Sequence, residues 1–225
     1  MSDIFREVDE ALQKEKAAKF WKEYGPTLIL AAVIMVGATA ATTAYQTWNH
    51  WRDREETTKL LNAMQSKDIV PALEQVASDT RGGHEAIALM AAASKEADEK
   101  NFAKSADLYG KVAEDGSAPD YLSDLAVILG TRAQLLVPGS TPDYKPLAEK
   151  IEKVANDKSS PFRVQAKVEA ALLYGDGLND YAKALSLLDG IDKERAPASL
   201  IEKGRAMQQV YKSEAAQAAP ESKQQ

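Results

Sequence analysis

Apolar residues are distributed along this chain in two distinct ways. Between Gly25 and Asn49 no charged side chain occurs. Within that stretch Leu28, Ile29, Leu30, Val33, Ile34, Met35 and Val36 cover every face of a helix, whereas a helix on a water-soluble domain carries polar residues at every third or fourth place. Thr27 to Tyr45 has the length a helix needs to cross a bilayer, roughly 20 residues. Beyond Trp51 the pattern changes. Apolar positions recur at helical spacing in segments of 10 to 18 residues, separated by short breaks of Gly, Pro, Asn and Asp. No alternation of strand type competes. The pattern predicts an all-α chain: a single transmembrane helix near the N-terminus, then a series of amphipathic helices.

The flanks of the apolar segment agree with a span. Trp21 and Tyr24 stand before it, and Tyr45, Trp48 and Trp51 after it, where aromatic rings settle at headgroup depth. A buried core helix would need a domain large enough to wrap it on all sides. A cleavable export signal is the closer rival, because the small residues of "GATAATTA" offer a cleavage site at Ala38 and Ala40. The leading segment, however, is long and carries Asp3, Glu7, Asp9, Glu10 and Glu15 among its bases, unlike the short basic lead of a signal peptide. The segment is therefore read as a permanent anchor over 25–50. Arg6, Lys14, Lys16, Lys19 and Lys22 precede it, and Arg52, Arg54, Lys59 and Lys67 follow within about 20 residues. This small excess of bases puts the N-terminus inside and the bulk of the chain across the membrane.

The arm ahead of the span, 1–24, reads as an amphipathic cytosolic helix. Asp3 caps it, Ile4, Val8 and Leu12 recur at i, i+4, acids come early and lysines late, and Gly25-Pro26 ends it. Two readings of its role stand open: a surface that lies on headgroups or a partner, and a solvated lead-in with neither.

The soluble part contains internal repeats. Pro119, Pro161 and Pro197 each follow a small residue or two and each opens a helical pattern; "RGGH" at 81–84 does so one unit earlier. These openings are about 36 to 42 residues apart. The second helix of each unit recurs too. In "NFAKSADLYGKVAE" and "NDYAKALSLLDGI", Phe102 matches Tyr181, Lys104 matches Lys183, small Ser105 matches small Ala184, and Tyr109 matches Leu188. A small residue lets two helices approach closely while large neighbours fill the grooves. Such hairpins cannot bury an apolar face alone, so they stack.

This order of aromatic, small and large residues in the second helix resembles the tetratricopeptide repeat. The first helix, "EAIALMAAASKEA", lacks that family's tryptophan, leucine and glycine and has Ala93 at the glycine place. The middle unit, "DYKPLAEKIEKVAN", departs further, with Pro146 and Leu147 where the small residue belongs and a long loop, "VPGSTPD", before it. The whole layout, with "FWKEYG" before the span, the A-Y-x-x-W exit at Ala44 to Trp48, and about four degenerate repeats, resembles the membrane-anchored ancillary subunit of the bacterial Sec translocon. The resemblance implies a periplasmic repeat domain associated with the Sec channel, with a membrane-anchored periplasmic chaperone and with exported polypeptides. The alternative expectation is a repeat-domain adaptor that the anchor brings to cell-division or envelope-assembly machinery.

Composition narrows the chemistry. The chain carries net charge −6, of which −5 lies in 49–225, and has no basic stripe for nucleic acid. It has no cysteine, so disulfides, thiolate nucleophiles and cysteine metal sites are excluded. Its two histidines, His50 and His84, have no second histidine at ligand spacing. "GDGLND" at 175–180 lacks the order of a calcium loop and reads as a polar turn. No phosphate-cradling glycine motif or serine nucleophile motif occurs, so no enzyme, cofactor or metal is expected. The expected organisation is an N-terminal helix over 1–24, the anchor over 25–50, a stalk helix and connection over 51–80, degenerate repeats over 81–213 and a disordered tail over 214–225.

Overall fold

In a computed structural model, residues 35, 39 and 42–218 are described. Among them every regular element is helical. The chain divides into two compact units, Met1–Glu55 and Glu56–Gln225.

Most of the predicted anchor, including Trp21, Tyr24, Leu28, Ile29, Leu30, Val33, Ile34 and Val36, lies outside the described residues, as does the N-terminal arm. Among the described residues no helix is long and apolar enough to cross a membrane. Residues 42–55 of the first unit are helical. Three exposed threonine hydroxyls here bond to backbone carbonyls three or four residues earlier. Thr42 and Thr43 donate to the Thr39 carbonyl at 2.9 and 2.8 Å, and Thr39 donates to the Met35 carbonyl at 2.9 Å. Met35, Tyr45, Trp48 and Trp51 are exposed.

The second unit opens with α1 (56–64) and continues with α2 (Ile69–Asp79), α3 (Gly83–Asp98), α4 (Phe102–Glu114), α5 (Asp120–Leu135) and α6 (Tyr144–Asn156). α7 (Arg163–Leu172) runs into a π-helical turn (Leu173–Gly177), followed by α8 (Tyr181–Leu188), a 3-10 turn (Ile191–Lys193) and α9 (Ala198–Ala218). Gly83 starts α3, Pro119 and Pro197 directly precede α5 and α9, and Pro161 stands two residues before α7. The prolines thus sit just ahead of the helices rather than at their first helical position. There they favour extended backbone in the residue before them and set the entry angle of the chain.

Neighbouring helices pack in sequence, α2 on α3, α3 on α4, α4 on α5, α6 on α7, α7 on α8 and α8 on α9. The α5–α6 contact is sparse by comparison. α2 is no connection: it buries Val70, Leu73, Val76 and Ala77 in one cluster with Leu60 and Ala63 of α1. The stack therefore begins with α1 and α2, ahead of the boundary at 81 read from the sequence. It comprises hairpins α1/α2, α3/α4, α5/α6 and α7/α8, with α9 against the last. The turns inside the second and fourth hairpins share a left-handed residue, Lys100 at φ 65° and Asn179 at φ 54°.

Two apolar cores form. One spans α1 to α5 and includes Leu73, Leu108 and Ala126; the other spans α5 to α9 and includes Ile128, Ile151 and Leu188. α5 is shared, Ala126 facing one and Ile128 the other. α9 runs to Ala218, so 214–218, read from the sequence as tail, are helical; Ala and Gln in "EAAQA" are good helix formers. Residues 219–225 of that tail lie outside the described residues.

Candidate functional site

The residues singled out from the repeat alignment occupy corresponding places on α4 and α8. Ser105 and Ala184 are fully buried, Leu188 is buried, Tyr109 nearly so, and Phe102 and Tyr181 are half-buried at the helix starts. Ser105 Oγ is buried without a hydrogen-bond partner. On α6 the same frame runs Tyr144, Leu147, Ile151. Leu147 takes the place of the small residue and is itself buried, beside a fully buried Ala148.

The matched lysines do more than fill positions. Lys104 of α4 reaches back to Glu74 of α2 at 2.9 Å and also to Glu96 of α3 at 2.9 Å. Lys183 of α8 reaches back to Glu152 of α6 at 2.5 Å. Glu74 and Glu152 are themselves equivalent, in "LEQVASD" (73–79) and "IEKVAND" (151–157). Each pair thus clamps the second helix of one hairpin to the second helix of the next. The clamp is missing once. Between α4 and α6 its two positions are Gly110 and Pro146, neither able to form an ion pair.

Electrostatics follow the clamps. Glu96 is buried; the Lys104 ammonium beside it, helped by Asn101 donating at 2.7 Å, outweighs the cost of burial and holds its carboxyl below the usual range. Lys104 is correspondingly raised, first by Glu96 and then by Glu74. Burial works against ionisation of Glu152, but the bonds from Lys183 and from Tyr174 OH, at 2.7 Å, prevail and lower it. The Tyr174 phenol is pushed up to about 12 by burial and by that same carboxylate. Elsewhere Glu194 takes Arg163 and Lys167 and is held low mainly by Lys167. Arg132 of α5 pairs with Glu169 of α7 at 2.6 Å. These pairs join neighbouring elements of the stack.

The "GDGLND" segment has a structural explanation. A side chain at Gly175 would meet the Tyr211 ring at 2.4 Å, and one at Gly177 the Tyr144 ring at 2.5 Å. The π-helical turn is where two tyrosines from α9 and α6 close onto α7. His84, second residue of α3, faces Glu56 at 3.0 Å and Thr57 at 3.1 Å and ties α3 to α1.

One helical turn beyond these positions, at Glu114 of α4 and Lys150 of α6, a cleft of about 480 Å3 opens against α5. Its floor is Ala113, Val127 and Val154; its rim carries Glu114, Asp124 and Asp157 with Lys150 and Lys153. Sequence reading had marked the middle unit as divergent without seeing that divergence as a place. It also missed the first hairpin. The "VAxD" ending shared by α2, α4 ("VAED") and α6, followed in the latter two by Asp115-x-Ser117-x-Pro119 and Asp157-x-Ser159-x-Pro161, was the available signal. In both of those turns the aspartate accepts from the serine backbone N–H at 2.8 Å.

Residues 18–129 match the family description of a tetratricopeptide repeat-like domain, and no enzyme family is detected. No curated protein and no solved structure gives a significant match. The matched stretch takes in α1 to α4 and most of α5, where the hairpins pack most tightly. The chain therefore carries a tetratricopeptide-repeat-like domain, a class of helical scaffold that generally mediates contacts between proteins and is generally not catalytic.

Proposed function

We propose that the protein is a non-enzymatic, membrane-anchored scaffold ancillary to the Sec translocon, whose repeat domain lies in the periplasm and binds partner or exported polypeptides. The observation that carries this reading is the succession, in one chain, of an uncharged segment of spanning length and a stack of helical hairpins. The physics of the first unit supports the anchor. Backbone and hydroxyl groups must be satisfied internally in hydrocarbon, and Thr39, Thr42 and Thr43 bond to carbonyls of their own helix. Trp48 lies under Arg52 at 5.2 Å, a pairing suited to the headgroup layer. The bacterial inner membrane, with the N-terminus cytoplasmic, is the location this reading requires.

Tethering explains how weak surfaces serve. A domain held beside a channel meets emerging chains at high effective concentration and needs little intrinsic affinity. The test is in-cell photo-crosslinking from several positions of the repeat domain, with mass spectrometry of the adducts. Adducts dominated by the Sec channel, a membrane-bound periplasmic chaperone and exported proteins are the expected outcome. Adducts dominated by division or envelope-assembly proteins would overturn the Sec assignment and leave the scaffold.

A further inference from the structure

The cleft between α4, α5 and α6 lies one helical turn from the positions where the repeat stack departs from its own rule. Everywhere else that the clamp positions align, an acid on one second helix meets a lysine on the next. Here Gly110 and Pro146 occupy those positions, Leu147 replaces the small residue, and the loop 136–143 is eight residues long. α6 also makes sparse contact with α5. The volume of the cleft, about 480 Å3, lies in the range of built ligand clefts, roughly 300–1,000 Å3.

Two of its charges are not used internally. Asp124, half-buried on α5, and Lys153 on α6 both line the cleft, yet among the described residues neither makes an ion pair or a side-chain hydrogen bond. Lys150 meets Glu114 only at 3.7 Å. Asp124 is therefore a half-buried carboxylate without a partner among the described residues, beside the apolar Ala113, Val127 and Val154. The C-terminal ends of α4 and α6 border the same space and add partial negative charge.

We propose that this cleft binds a short segment of polypeptide that places a basic side chain beside apolar ones. The base meets Asp124, the apolar side chains lie on Ala113, Val127 and Val154, and Lys153 takes a backbone carbonyl of the segment. The proposal rests on the reading of the repeat domain as a polypeptide binder and names the surface that does the binding.

The experiment uses the full chain in lipid nanodiscs, with empty nanodiscs as blank, and fluorescein-labelled ten-residue peptides of Leu, Val and Ser that differ only in a central Arg or Glu. Fluorescence anisotropy should show the Arg peptide binding about five-fold tighter than its Glu twin, the size of a partly screened ion pair. Asp124→Lys should abolish or reverse that preference with helicity and thermal unfolding unchanged. Asp120→Lys, one turn earlier on the same helix, exposed and outside the cleft, alters net charge equally and should leave the preference intact. Equal binding of both peptides, or an equal effect of the two substitutions, overturns the proposal. A photo-crosslinker at Lys153 and another at exposed Val210 of α9 separate the two readings. Exported polypeptides captured at Val210 but not at Lys153 overturn the cleft and leave the scaffold; capture at neither overturns both.

Discussion

The two faces of α5 make opposite seams. Towards α4 the helices are closely packed: a side chain at Gly130 would stand 3.0 Å from Tyr109 Cβ and 3.8 Å from the Ala106 carbonyl oxygen. Towards α6 the same helix makes sparse contact and borders a charged cleft. One side of α5 is built for cohesion and the other for access. The lesson is that a degenerate repeat is informative where it fails. Loss of the small residue and of the clamp at one junction, in a stack that keeps both on either side, is a local change with a definite structural consequence.

The largest expected effect tests whether small residues close the tight seams. Ala184 on α8 is fully enclosed at the position equivalent to Ser105. Ala184→Trp should overpack the α7/α8 hairpin and cost about 3 kcal/mol or more. Thermal unfolding followed by circular dichroism measures it. A variant with unchanged helicity and unfolding temperature would show that the equivalence of α4 and α8 is mistaken.

Next in size is the clamp. In Glu152→Gln, Lys183 and Tyr174 lose their charged acceptor. Because Lys183 is more than a third exposed the ion-pair part is screened, and the expected loss is about 1 kcal/mol. The sign with pH is fixed. Glu96 and Glu152 have folded-state pKa values below the ordinary 4.5. The unfolded chain therefore takes up protons first, so their contribution is whole above pH 4.5 and drains away as pH falls through the lowered values. Urea midpoints for the parent should decline below pH 4.5, and Glu152→Gln should show a shallower decline. An identical slope would assign the acid sensitivity to other carboxylates.

The open seam should be closable. Gly110 has clear space where a side chain would begin. Gly110→Glu with Pro146→Lys writes the missing clamp between α4 and α6. Replacing a helical glycine contributes roughly 0.5–1 kcal/mol and an exposed pair a few tenths more. A rise of about 1 kcal/mol in unfolding free energy, with weaker binding of the Arg peptide, is the expected outcome. Stability gained with peptide binding unchanged would uncouple the clamp from the cleft.

Much of this was readable in the sequence, and the boundary of legibility has physical causes. Helix starts were visible because proline and glycine mark them through backbone geometry alone. The α4/α8 equivalence was visible because an aromatic, a small and a large residue share one helix face. The α1/α2 hairpin was hidden: α2 has no aromatic at its start, and its likeness to α6 lies in the helix end, "LEQVASD" against "IEKVAND". The lysine match was seen, but its meaning needed the acid on a helix about 30 residues away, and such distance conceals pairing. The cleft was legible only as an irregularity, since an absent contact leaves no motif.

The smallest effect reverses sign. Ser105 sits where Ala184 sits, but its Oγ is buried and has no hydrogen-bond partner. A buried hydroxyl without a partner keeps its desolvation cost and returns nothing, and alanine is the better helix former. Ser105→Ala removes one atom from a seam whose closeness depends on small volume, and the cavity left is too small to matter. It should therefore stabilise the domain by up to about 1 kcal/mol, read as a higher urea midpoint at unchanged m-value. A loss of stability would mean that the hydroxyl is satisfied in solution, by a water beside α4, and that the packing around Ser105 is less tightly closed than its geometry indicates.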